Sequence, residues 1–236
     1  MSWSDVIIGG ETGRRITYRT GLTVYEEALV DGRFLGQGWN GAGFVGFYED
    51  AGKKVDVPLP QQAFRLEIDG QLLDSGWEWG GVEKQPDETR AGFRHIVITL
   101  NHSLRPVTVK IHTRLDGTAV LTRWLEIRNT GNRPAAVAAA DSWCGVLQKI
   151  DQWSKCREPE SLFSLGYFEQ TNWGTEGNFQ WHTLPTAAYR VDGRSRRDRY
   201  RHPMFLLRNN MSGEHYIGQF AWSGGYSFEF DLAPDS

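Results

Sequence analysis

Four Asp-Gly pairs, Asp31-Gly32, Asp69-Gly70, Asp116-Gly117 and Asp192-Gly193, punctuate the chain with apolar residues close beside each. Aspartate and glycine both tolerate the positive φ angles of a two-residue hairpin turn, so each pair predicts a local reversal between antiparallel strands. The runs around them alternate in the way a half-buried strand requires. Phe64, Leu66 and Ile68 alternate with Arg65, Glu67 and Asp69. Val107, Val109, Ile111 and Leu115 alternate with Thr108, Lys110, His112 and Arg114, and Tyr226, Phe228, Phe230 and Leu232 with Ser227, Glu229 and Asp231. This period of two places one face on a core and the other in water. Further strands are predicted at 25–30, 93–100, 163–167, 204–207 and 216–222. More than a dozen strands exceed one twisted sheet, so the expected fold is all-β with two packed antiparallel sheets.

The segment from Thr118 to Leu147 is the predicted centre of that fold. Two β-rich runs, 120–128 and 135–143, flank Asn129-Thr130-Gly131-Asn132-Arg133-Pro134, whose Asn, Gly and Pro are turn residues. Together they predict a hairpin. Apolar residues at both parities of the first arm (Val120, Trp124; Leu121, Leu125, Ile127) predict a strand covered on both faces. After Leu147 a loop is expected through Pro159. With 236 residues and no repeat, linker or low-complexity run, the chain is expected to be one β-sandwich domain spanning 1–236.

Charge and cysteine content narrow the function classes. A net charge of -3 argues against a general nucleic-acid or membrane-surface binder, because such proteins usually carry a basic excess to neutralise phosphates. Two cysteines, Cys144 and Cys156, make neither a disulfide framework nor a zinc set, so free thiols are expected. The six histidines lack ligand spacing, and neither a metal nor a cofactor is expected. The start, MSWSDVIIGG, is unlike a secretory signal and no apolar run reaches membrane-spanning length, so the cytoplasm is the expected location.

Ten tryptophans are more than core packing calls for, since a buried indole N–H needs a partner. In Trp77-Glu78-Trp79 the two rings are expected on opposite faces of a strand, so that at most one faces a ligand and the other packs in the core. The stretch from Glu169 to Leu184 is a predicted long loop, or loop and short strand, dense in aromatic and polar residues: Asn172, Trp173, Glu176, Phe179, Trp181 and His182 follow Tyr167 and Phe168. Sugars are bound by stacking their apolar ring faces on aromatics while Asn, Glu and His hydrogen-bond the hydroxyls. The candidate sugar contacts are therefore Asn172, Trp173, Glu176, Trp181 and His182, weighed against rings that merely cap the sandwich. The run from Arg190 to His202 holds six arginines and two aspartates and is expected to be a solvated loop or subunit contact. No hydrolase, zincin or phosphate-loop motif is present.

The segment VLTRWLEIRNTGNRPAAVAAADSWCGVL resembles a hairpin in the N-terminal domain of bacterial family 36 glycoside hydrolases, the α-galactosidase family. Gly193-Arg194-Ser195 with His202-Pro203-Met204-Phe205 resembles that family's G-R-S-S and N-P-F segment, and Tyr216-Ile217-Gly218 with Trp222-Ser223-Gly224-Gly225 its Y-G and Y-S-G-N elements. The resemblance implies a β-supersandwich of the galactose mutarotase-like type. It implies a galactoside as ligand and a (β/α)₈ barrel as partner, which carries the two catalytic aspartates in the family. The barrel's W-x-x-D-D-G-W, K-W-D and C-x-S-G-G signatures do not occur here, so this chain is expected to be non-catalytic alone. Many relatives carry D-F-R where this chain has Ala63-Phe64-Arg65, so only Arg65 matches as a contact at the rim of the sugar site. Two alternatives remain: a free-standing carbohydrate-binding module, and an aldose epimerase with a His acid and a Glu base. Self-association into a homo-oligomer stays open.

Overall fold

The computed structural model describes residues 3–10, 13–40, 61–86, 92–147, 162–170, 174, 177–194, 200–222 and 224–232, with the backbone alone for Gln37 and Asn40. Every regular element among them is a β-strand, and every strand pairing is antiparallel. Two compact units make up the chain, Met1–Lys149 and Ile150–Ser236.

The first unit contains β1 (Ser4–Gly9), β2 (Arg15–Thr20), β3 (Thr23–Val30), β4 (Arg33–Asn40), β5 (Arg65–Ile68), β6 (Gln71–Leu72), β7 (Trp77–Gln85), β8 (Arg94–His102), β9 (Val107–Leu115), β10 (Leu121–Asn129) and β11 (Val137–Asp141). They form sheets in the orders β1-β2-β3-β4, β10-β9-β8-β7 and β11-β5-β6. Alternation explains the core. The odd positions of β9, Val107, Val109, Ile111, Thr113 and Leu115, are all buried, while the even ones are half-exposed. From β8, Ile96, Ile98 and Leu100 join them, with Ile16, Tyr18, Tyr25 and Phe34 from the β1–β4 sheet. Each such side chain contributes roughly 1.5–3 kcal/mol of transfer free energy. Trp77 and Trp79 both pack on this core, because residues two apart share a strand face.

Two of the four Asp-Gly pairs are tight reversals with both residues at positive φ: Asp31 and Gly32 at 48° and 74° between β3 and β4, Asp69 and Gly70 at 52° and 74° between β5 and β6. This is the signature of a primed hairpin turn. Asp116-Gly117 lies in the longer loop from β9 to β10. Asp192-Gly193 departs from expectation. It sits inside a strand, where the Tyr226 ring lies against Gly193 and leaves no room for a β-carbon.

The predicted central hairpin does not form. Strand β10 pairs with β9 at the edge of its sheet, whereas β11 pairs with β5 in another sheet. The intervening residues hydrogen-bond among themselves and back to the loop before β9. Gly131 N donates to Asn129 Oδ1 at 2.9 Å, Asn129 Nδ2 to Arg133 O at 2.7 Å, and Thr130 N to Pro106 O at 2.7 Å. Ala136 N then donates to Asp69 Oδ1 at 2.8 Å, which delivers β11 to β5. The turn residues mark a turn correctly, but its exit is set by Pro106 and Asp69, which local sequence does not contain. Nor is β10 covered on both faces: Leu121, Leu125 and Ile127 pack on the core, while Trp124 on the other face is 38% exposed.

The second unit contains β12 (Phe163–Phe168), β13 (Phe179–Thr183), β14 (Ala188–Gly193), β15 (Met204–Asn209), β16 (His215–Gln219) and β17 (Tyr226–Asp231), in sheets β13-β12-β15-β16 and β14-β17. The two sheets meet through aromatic side chains. Phe205 of β15 packs edge-on to Phe228 and Phe230 of β17 at 5.0 and 4.9 Å, and the Tyr167 and Tyr189 hydroxyls lie 2.8 Å apart.

Candidate functional site

Strand β12 has period-two packing that sends Phe163, Leu165 and Tyr167 to the buried side. Its pairing with β13 sets Leu165 opposite His182 and Gly166 opposite Trp181. His182 therefore shares a face with Tyr167, and Trp181 points to the other face. The Tyr167 and His182 rings stack at 4.6 Å with planes 14° apart. Just past the strand end, Glu169 N donates to Asn178 O at 2.8 Å, holding the base of the loop into β13 and aiming Glu169 back over the stack.

The Glu169 carboxylate lies between two nitrogen groups. His182 Nε2 is 3.0 Å from Oε1, an ion pair when the imidazole is protonated, without the alignment of a hydrogen bond. Arg201 Nη2 donates to Oε2 at 3.2 Å, and its guanidinium lies 5.4 Å from the Tyr167 ring centre. Arg201 itself is fixed by Nη1 donating to Asp192 O at 3.1 Å, while its Nε is buried without a partner. Burial, then the hydrogen bond to Tyr189, push the Tyr167 phenol well above its usual range, so it remains a neutral hydroxyl at any physiological pH. Nearby, Tyr226 donates to His202 O at 3.0 Å, and burial pushes its phenol up to about 12.

One carboxylate acceptor, Glu169, one guanidinium, Arg201, and the neutral Tyr167 phenol thus surround the His182 imidazole. Each is half-exposed or less, with side-chain exposures of 34%, 30% and 16% for His182, Glu169 and Arg201. Such a set can hydrogen-bond a polyol. Glycosidic cleavage of the ordinary kind uses two carboxylates on opposite sides of the bond, and this group supplies one.

Of the residues named from the sequence, His182 is central to this cluster. Trp181, 42% exposed, belongs to the opposite face of β13, where Arg208 lies 5.0 Å over its ring and Phe179 meets it edge-on at 5.6 Å. The two neighbours cannot line one pocket, because adjacent strand residues point apart. Asn172, Trp173 and Glu176 lie outside the described residues. Arg65 lies on β5 in the first unit, 3.7 Å from Glu67 and 3.8 Å from Asp141. Beside it Ala63 is fully buried, with its N–H donating to Phe34 O and its carbonyl accepting from Cys144 N.

Glu169 and Arg201 were not singled out from the sequence. Glu169 stands at the start of the aromatic loop, and Arg201 is the last arginine of the 190–202 run expected to be a solvated loop or subunit contact. That run in fact begins as strand β14, with Arg190 paired to Glu229 at 3.0 Å. A cleft of about 340 Å³ in the first unit is lined by Asp69, Arg105, Asn129 and Arg133 among others, and Arg65, the candidate within that unit, does not border it. Among the described residues no group of three or more His, Cys, Asp or Glu is arranged to hold a metal. Among them, too, no helix is long and apolar enough to cross a membrane.

No protein-family model matches the sequence, and no curated protein matches it. Solved structures do. The family 36 α-galactosidase AgaB of Geobacillus stearothermophilus aligns over 97% of this chain with a TM-score of 0.64 at 13% identity. The chain has the fold of one part of these enzymes. The galactosidase domain of the α-galactosidase-sucrose kinase AgaSK aligns over 96% with a TM-score of 0.68 at 16% identity, and an α-galactosidase of Lactobacillus brevis over 93% with a TM-score of 0.64 at 11%. In the other direction the chain spans only about a third of each, 36%, 36% and 34%. The all-β expectation is met, and the resemblance to α-galactosidases read from the sequence agrees with these matches.

Proposed function

We propose that this chain is the non-catalytic N-terminal domain of an α-galactosidase-like glycoside hydrolase, folded as a galactose mutarotase-like supersandwich and packed on a catalytic (β/α)₈ barrel. The observation that carries this reading is the asymmetry of coverage: nearly all of this chain aligns with about a third of each α-galactosidase. The remaining two thirds of those chains is ample for a barrel of about 250 residues. In this role the domain positions and does not make or break bonds, and the Glu169, His182 and Arg201 group shapes a rim that binds galactoside hydroxyls. The single carboxylate in that group fits binding better than hydrolysis.

The test is hydrolysis of p-nitrophenyl α-galactoside by this chain alone. No turnover above the uncatalysed rate is expected, and turnover abolished by Glu169→Gln would overturn the non-catalytic assignment. A second reading, free-standing carbohydrate recognition, is favoured by the exposed Trp181 ring with Arg208 stacked over it. A 236-residue native protein that binds sugar through Trp181 would support that reading over the first.

A further inference from the structure

The outward face of the β10-β9-β8-β7 sheet carries a side-chain group that the core does not use. Trp124 on β10 sits opposite His112 on β9, and Glu126 opposite Lys110. Because Arg123 and Thr113 point inward, their neighbours Trp124, Glu126 and His112 point outward. The Trp124 indole stacks on the His112 ring at 4.7 Å with planes 10° apart, and lies 5.2 Å from His95. His95 Nε2 and His112 Nδ1 share a hydrogen bond at 3.1 Å, which holds the His112 ring in place under the indole. On the other side of His112, Nε2 is buried without a hydrogen bond, 3.5 Å from Glu126 Oε2. The Glu126 side chain is 56% exposed.

The indole is thus immobilised by a histidine pair and still 38% exposed on an edge strand, with a half-exposed carboxylate two residues along the same face. A tryptophan needed only for packing would face the core, as Trp77 does at 2% exposure. A fixed aromatic surface beside a hydrogen-bond acceptor suits a pyranose, whose C–H face stacks on the ring while adjacent hydroxyls donate to the carboxylate. The order is already imposed by His112 and His95, so little conformational entropy is lost on binding.

We propose that Trp124 and Glu126, set by His112 and His95, form a carbohydrate-binding surface for a galactose-configured pyranose, additional to the Glu169 cluster. The choice of galactose rests on the α-galactosidase-like reading; the surface itself rests on the stack.

The test is a titration of the ¹⁵N-labelled full chain with methyl α-galactoside and raffinose at millimolar concentration, following indole N–H resonances, with Trp124 assigned from Trp124→Phe. A saturable shift of the Trp124 resonance is expected in wild type and in Trp181→Ala. Trp124→Ala should weaken calorimetric binding at this surface by about tenfold or more, and Glu126→Gln should weaken it without changing the melting temperature. Binding by Trp124→Ala equal to wild type, or no Trp124 shift with any galactoside, would overturn the proposal. Neither result bears on whether the chain belongs to a larger hydrolase, which the mass of the native polypeptide decides separately.

Discussion

Arg123 and Glu27 form an ion pair in the middle of the first unit, with Arg123 Nη2 2.7 Å from both carboxylate oxygens and neither side chain exposed. Glu27 also accepts from the Tyr18 hydroxyl at 2.6 Å and the Tyr25 hydroxyl at 3.2 Å. Arg123 donates through Nε to Thr113 Oγ1 at 3.2 Å and stacks 4.6 Å from the Trp143 ring. Burial opposes the charge on the guanidinium, but Glu27, Tyr25 and Tyr18 outweigh it and push its proton affinity up. The pair joins β3 of one sheet to β10 of the other, so two sheet faces meet on a charge as well as on aliphatic contacts.

Removing one partner leaves the other charge buried. Glu27→Gln or Arg123→Ala should lower unfolding stability by about 3–5 kcal/mol in urea titrations, whereas an apolar double replacement at both positions should cost less than the sum of the single changes.

The same cluster sets an alkaline limit. Burial, then the Glu27 charge, raise the Tyr18 and Tyr25 phenols well above their usual value of 10. A raised folded pKa stabilises below the unfolded value and is lost as pH rises through the folded one, so stability should be flat to pH 10 and fall above it. Thermal melts from pH 8 to 12 should show this fall. Tyr25→Phe should make it shallower while costing stability at pH 8.

Glycine at 218 gives a packing test. A β-carbon there would collide with the Phe205 ring, which itself packs on Phe228 and Phe230. Gly218→Ala should destabilise the protein by about 1–3 kcal/mol, and Gly218→Ala with Phe205→Leu should recover part of that loss.

At the candidate site, Arg201→Ala removes a donor to Glu169 that is 16% exposed. Galactoside affinity should fall about tenfold while stability changes by no more than about 1 kcal/mol, as for a partly solvated pair. Equal affinity in calorimetry would remove the cluster from sugar binding.

What the sequence revealed follows from locality. Strands β9 and β17 were legible because each has one core face and one wet face, so hydrophobicity alternates along the chain. Strand β3 was harder, because the run of buried positions includes Glu26 and Glu27, and the partner of Glu27 lies at Arg123, far along the chain. The turn after Asn129 was legible as a turn, but its exit depends on Pro106 and Asp69. At the site, His182 was legible from the company of aromatic residues. Glu169 and Arg201 come together only through the β12–β13 hairpin and the return of the chain after β14, which no spacing in the sequence encodes.

The central claim is that this chain is one domain of a longer α-galactosidase-like enzyme, and the most direct measurement is the intact mass of the native polypeptide carrying this sequence, combined with α-galactosidase assay of the same sample. With 97% of this 26.8 kDa chain matching 36% of the α-galactosidase AgaB, the account predicts a species of about 72 kDa that hydrolyses p-nitrophenyl α-galactoside. A native species of 26.8 kDa with no associated hydrolase activity would contradict it.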